Sequence, residues 1–157
     1  MTQASADSIL RLERVVPVTA DHLWRGWTDP AMLVRWFTPA PWKTTDAEID
    51  CRPGGIFRTV MEGPDGEGNE GAGCILEVVP GRRLVWTSAL LPGFAPAPST
   101  DEDFVFTAVI EIEPVPEGAR YRAAVLHASA EDARRHADMG FEAGWSAALD
   151  QLVALAD

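Results

Sequence analysis

Residues 129–156 read SAEDARRHADMGFEAGWSAALDQLVALA, and the fold turns on what this stretch packs against. Ser129 is placed to cap a helix, with Asp132 three residues on, and a helical pattern runs from there to about Ala156. With Phe141 as the centre of a projection at 3.6 residues per turn, Ala137, Gly144, Trp145, Ala148, Leu152 and Leu155 fall within about sixty degrees of it. Met139, Glu142, Ser146 and Asp150 lie largely on the other side. The spacing predicts one long C-terminal helix whose apolar stripe must be buried.

Upstream, the chain offers strands to bury it. In RPGGIFRTVMEGPDG, residues 52–66, Phe57, Thr59 and Met61 alternate with Ile56, Arg58 and Val60. Gly54 and Gly55 before the run permit positive φ, and Gly63 to Gly66 after it is turn chemistry. Residues 8–16 alternate and stop at Pro17, and 44–51, 73–79, 84–88, 104–113 and 121–129 read as further strands. Between the first two strands lie two short helices. Thr19 caps one, with Leu23, Trp24 and Trp27 on one side; Asp29 caps the other, with Pro30 in its first turn and Leu33, Trp36 and Phe37 on one face. Residues 38–42 form a loop with two prolines. Residues 90–103, rich in Pro, Ala and Ser, read as a long mobile loop whose length hints at a lid. This order predicts an α+β domain, a curved antiparallel β-sheet wrapped around the C-terminal helix. One rod cannot fill the whole concavity of such a sheet, so a pocket between them is expected.

The totals set bounds. At 157 residues the chain fits a single domain able to bury roughly two thirds of its unfolded surface, with residues 1–7 expected as a flexible N-terminus. A hydrophobic content of 46%, with six Trp and six Phe, argues against disorder. The net charge of −11, from 24 acidic and 13 basic residues, argues against nucleic acid or an anionic membrane surface as partner, because both reward Lys and Arg. Cys51 and Cys74 have no CxxC spacing and Met1 to Leu10 carries no signal-peptide pattern, which predicts two reduced thiols in a cytoplasmic protein. No apolar run approaches the roughly 18 residues that span a bilayer.

Four stretches carry a resemblance: WTDPAMLVRWF at 27–37, EIDCRPGGIFRTVMEGPDG at 48–66, EVVPGRRLVWT at 77–87 and MGFEAGWSAALDQL at 139–152. In this order they resemble the domains related to the C-terminal part of the heat-shock-protein-90 ATPase activators, within the START-like superfamily called SRPBCC. The resemblance covers nearly the full chain from about residue 9. It implies the helix-grip fold and a cavity under the last helix. It implies little about activity, since the superfamily includes lipid carriers, polyketide cyclases, hydrolase-like members and many without a known role. Chaperone contact is not expected, because the true activators carry an additional N-terminal domain that engages the chaperone.

The family pattern implies that Tyr121, Ala123, Val125 and His127 face inward. His127 then serves either as a general acid or base or as a hydrogen-bonded rim residue. Glu77 shares strand parity with Ile75 and Val79 and is inward if they are; with the opposite parity Cys74, Leu76 and Val78 are inside and Glu77 is in solvent. An inward carboxylate costs several kcal/mol unless paired, protonated or wet. Glu77 and Tyr121 are thus the candidate partners of His127 in an enzyme. Arg134, near the apolar stripe, reaches either the cavity mouth or solvent. Trp36, Phe37, Trp42, Phe57, Met61, Trp86, Phe106, Phe141 and Trp145, with His127, are the candidate ligand wall, part of which is ordinary core. Trp42 and Phe94, in Pro-bearing loops, are candidates for gating. His22, His127 and His136 lack metal-ligand spacing, and no P-loop, GxSxG or GxGxxG is present, so neither metal nor cofactor is indicated. The sequence leads to the binding of a hydrophobic or aromatic small molecule between sheet and final helix. The alternatives are a cyclase, dehydratase or hydrolase using the same cavity, or a chaperone-related interaction module. Nothing in the sequence supports a homodimer, which an exposed strand edge or the two short helices would allow.

Overall fold

The computed structural model describes residues 6–98 and 104–156. After a 3-10 turn at Ala6–Ser8 come β1 (Ile9–Val16), α1 (Ala20–Thr28), α2 (Pro30–Leu33), β2 (Lys43–Ile49), β3 (Ile56–Glu62), β4 (Gly68–Val79) and β5 (Arg83–Thr87). A small hairpin, β6 (Leu90–Leu91) and β7 (Ala95–Pro96), precedes β8 (Phe106–Val115), β9 (Gly118–His127), α3 (Ala130–Asp138) and α4 (Phe141–Ala154). The seven long strands form one antiparallel sheet in the order β1-β9-β8-β5-β4-β3-β2. This is the α+β helix-grip fold, with α1, α2 and the C-terminal helices on the concave side.

The expected caps form. The His22 amide donates to Thr19 Oγ1 at 3.0 Å, the Ala31 amide to Asp29 Oδ1 at 3.0 Å and the Asp132 amide to Ser129 Oγ at 3.1 Å, each satisfying a donor that the first helical turn leaves unpaired. Alternation then sorts the sheet's faces. Val16, Phe57, Trp86, Ala108, Ile110, Tyr121 and Ala123 are buried on the concave side in one core with Leu149 and Leu152 of α4, and Val125 is buried on the same face of its strand. The other face is polar. Arg58 bonds Asp46 and Glu70 at 3.0 and 2.8 Å, Arg122 meets Glu13 at 2.5 Å, and Arg83 pairs with Glu77 and Glu111. Exposed pairs of this kind are screened by water and contribute little, so they keep the convex face wet and do not drive folding.

Four departures from expectation matter for the site. The C-terminal helix is broken: Gly140, at φ 95°, takes the left-handed region and separates α3 from α4. The break uncouples the two helical faces, so Ala137, expected inside, is exposed, while its neighbour His136 is half-buried. On β4 the register slips between Ile75 and Glu77, which pair with Trp86 and Val85, leaving Leu76 as the extra residue of a bulge. Ile75 therefore faces the core, Val78 packs against it, and Glu77 between them is in solvent. β4 also begins at Gly68, five residues before the expected start, because residues 68–72 pair with β3.

The expected loop at 90–103 is tied down over its first half. The Gly93 amide donates to the Gly54 carbonyl at 2.8 Å and the Ala97 amide to the Ala89 carbonyl at 3.0 Å. A Cβ on Gly54, itself at φ 83°, would lie 3.0 Å from the Phe94 ring, so the glycine both makes the turn and lets that ring approach. Gly55 is needed for a different reason than positive φ: a Cβ there would lie 1.9 Å from the Asp50 carbonyl oxygen. Residues 99–103 of the expected lid, and 1–5 of the expected flexible N-terminus, lie outside the described residues. Ala6 and Asp7 of that terminus are exposed in the 3-10 turn, and Ser8, the first residue beyond the terminus, is buried.

Candidate functional site

A row of rings crosses the concave face. Trp27 of α1 meets Trp36 and Phe37 beyond α2, with ring centroids 5.1 and 5.8 Å apart, and Phe57 of β3 at 6.1 Å. Phe57 stacks on Trp86 of β5 at 4.4 Å, and Trp86 meets Phe106 of β8 at 5.5 Å. From Phe106 the row continues to His136 at 5.3 Å, Phe141 at 5.2 Å and Trp145 at 5.1 Å. Seven of the aromatic residues singled out in the sequence are thus joined in one band, through Trp27 and His136, which were not. Trp42 and Met61 are half-buried outside both the band and the core. The band is closed on itself: its members touch one another where an open cavity was expected. A cleft of about 590 Å³ opens elsewhere, between the β1–α1 junction and the β8–β9 turn, bordered by Pro17, His22, Pro116 and Ala156.

Three indoles in this band have different fates. Trp27 Nε1 donates to Tyr121 Oη at 3.2 Å and Trp36 Nε1 to the Gly26 carbonyl at 2.9 Å. Trp86 Nε1 is buried without a hydrogen-bond partner, and Trp86 is only 6% exposed. An enclosed donor left unpaired costs about 1–3 kcal/mol.

At the far end of the band is a pair of histidines. His127 Nδ1 lies 2.9 Å from the Ser8 carbonyl and its Nε2 2.9 Å from His136 Nδ1. A carbonyl oxygen only accepts, so with both rings neutral His127 carries its proton on Nδ1 and presents a bare Nε2 to His136, which then donates from its own Nδ1. Phe104, Phe106 and Phe141 pack around His136. Burial in this apolar nest, and secondarily the neighbouring His127, pull the His136 pKa down to about 4.

The site candidates can now be placed. His127 is inward and buried, as the family pattern implied, but both its nitrogens are engaged; it orients another group and is not itself presented to a ligand. Of the two orientations open to Glu77, the bulge gives the solvent one, where it pairs with Arg83. Tyr121 is inward and buried, and burial raises its pKa well above the usual phenol range. It lies six residues from His127 along one strand, roughly 20 Å at strand rise, so it is no partner for that histidine. Arg134 is exposed. Phe94, 52% exposed, lies against Gly54. His136 was missed because a continuous helix would place it about 140 degrees from Phe141; only the break at Gly140 brings it to the sheet.

Among the described residues no group of three or more His, Cys, Asp or Glu is placed to hold a metal ion, and no helix is long and apolar enough to cross a membrane.

Over residues 17–157 the chain matches the profile of the family described as activator of Hsp90 ATPase homolog 1-like protein. The chain belongs to that family. Its helix-grip architecture places this family member within the SRPBCC type. Protein NE0264 from Nitrosomonas europaea is 42% identical, with 96% of this chain and 95% of that chain covered and a TM-score of 0.91. Ms6760 from Mycobacterium smegmatis is 27% identical over 99% of this chain and 94% of its own, at a TM-score of 0.79. The AHSA1 protein SPO3351 from Silicibacter pomeroyi, 23% identical over 93% and 95% of the two chains at a TM-score of 0.69, shares the fold. No curated protein matches the sequence.

Proposed function

We propose that this family member binds a hydrophobic or aromatic small molecule between the sheet and the C-terminal helices. The observation that carries the reading is Trp86, an enclosed indole N–H with no acceptor, set within a continuous band of rings. A guest that parts the band offers its rings a new aromatic face and offers Trp86 an acceptor, recovering the cost of the unpaired donor. The end of the band is where it can part: Phe106, His136 and Trp145 are half-buried, whereas Trp27, Trp36, Phe57 and Trp86 are sealed. Binding with no catalysis suffices for this reading, because Glu77, a candidate partner of His127 in an enzyme, is exposed and pairs with Arg83. Among the described residues the large exposed apolar side chains come one each from β1, β4, the β6–β7 hairpin, the residue before β8 and the α3–α4 joint, which favours a guest inside the fold over a chaperone on its surface. A cytoplasmic setting suits the two free thiols, Cys51 and Cys74.

The test is a thermal-shift screen of naphthalene-sized ring compounds. A binder raises Tm in proportion to its occupancy, and Trp145→Ala, which removes the ring at the half-buried end, weakens that response at least several-fold. A screen in which no ring compound moves Tm would refute the reading.

A further inference from the structure

We propose that His136 Nε2 is the polar contact of this site, and that its ligand is a ring compound bearing a hydroxyl group whose O–H donates to that nitrogen. The inference rests on the binding reading above and specifies the guest's chemistry.

The argument is one of donors and acceptors. The chain begins at the Ser8 carbonyl, which has lone pairs and no proton, so each neutral imidazole after it donates backwards from Nδ1. The last nitrogen in the series, His136 Nε2, is left with a lone pair, and no group among the described residues is hydrogen-bonded to it. Both rings are thereby fixed in one tautomer. His127 is a positioning residue, because both its ring nitrogens are taken, by Ser8 and His136, and its ring packs on Phe104 and Phe106. The pair accommodates one added proton without losing a hydrogen bond, whereas a second would set two N–H groups against each other across 2.9 Å.

The surroundings select what meets that lone pair. Phe104, Phe106 and Phe141 border His136, with centroids 5.0 to 5.3 Å from its ring, so the group that approaches arrives on an apolar, ring-shaped body. His136 is neutral at pH 7, so a neutral donor satisfies it and a carboxylate does not. Phe106 touches both His136 and Trp86, which places the lone pair and the unpaired indole donor within two ring contacts of one another. A hydroxylated ring fits that distribution: apolar faces for the band, a proton for His136.

The experiment uses the full chain with ¹⁵N-labelled imidazoles and two probes of equal shape, 2-naphthol and 2-methylnaphthalene. The three histidines give few enough signals to assign by substitution. In the free protein His127 and His136 are expected to carry the proton on Nδ1, with Nε2 of His136 unprotonated. By calorimetry 2-naphthol is expected to bind about tenfold tighter than 2-methylnaphthalene, the yield of one hydrogen bond, and only 2-naphthol shifts the His136 Nε2 resonance. In His136→Phe the ratio of the two affinities falls to about one. Equal affinities in the wild type, or a proton on Nε2 of His136 in the free protein, overturn the inference and leave the binding reading standing. If neither probe binds, the binding reading falls and takes the inference with it.

Discussion

Strand β9 carries two buried polar side chains on one face, Tyr121 near its start and His127 at its end, and their surroundings make opposite uses of them. Tyr121 accepts from the Trp27 indole in the sealed part of the core, where the pairing closes and leads nowhere. His127 passes its hydrogen bond on to His136, which is half-buried and stands at the edge of the fold. Alternation puts both residues on one face, and the family resemblance implied that this face is the inward one. What differs is the next residue in the chain of contacts: a buried tryptophan in one case, a second titratable group in the other. A buried polar group surrounded only by satisfied neighbours stabilises; one that relays to an accessible lone pair can recognise.

The largest expected effect tests the sealed end. Tyr121→Phe removes the acceptor of Trp27 Nε1 and leaves that N–H enclosed and unpaired, so urea denaturation should show a loss of about 1–3 kcal/mol with no change in ring-compound binding. A loss near zero would show that the pairing is dispensable and the contrast between the two ends unfounded. A smaller effect tests the relaying end through pH. His136 has a folded pKa of about 4, below the ordinary histidine value, so between about pH 6.5 and 4 the unfolded chain binds more protons than the folded one. The contribution is full above about pH 6.5 and is lost as pH falls through 4; discounted for the half-exposed ring, it is on the order of 1 kcal/mol. Tm should decline across that window, and His136→Phe should flatten the decline while Tyr121→Phe leaves it in place. An undiminished slope in His136→Phe would assign the titration elsewhere. The smallest effect concerns neither end: Glu77→Gln on the convex face should cost under about 0.5 kcal/mol and leave ligand affinity unchanged, read by the same denaturation and calorimetry.

Much of the fold was legible because local chemistry and tertiary structure agree. Thr19, Asp29 and Ser129 cap the helices they precede, and the inward series from Tyr121 to His127 holds without exception. The failures sit where one residue breaks a period. Leu76 is an ordinary strand residue, yet the bulge it forms makes both parities of β4 half right: Ile75 inside on one count, Val78 on the other, Glu77 outside. Gly140 sits within an otherwise helical pattern, where a glycine is tolerated at modest cost, and nothing local distinguishes that from a break.

The sequence by itself determined the α+β order, the caps and an aromatic inventory that had to lie between sheet and helix, because each follows from periods of two and 3.6 residues and from the donors of single helix turns; the inward face of β9, a strand apolar on both sides, was implied by the family resemblance. Tertiary structure alone decided that Gly140 takes positive φ, that His136 thereby meets His127, and that Trp86 is left without an acceptor. Those are relations between elements far apart in the chain, fixed by how rings share a limited interior, and no local period encodes them.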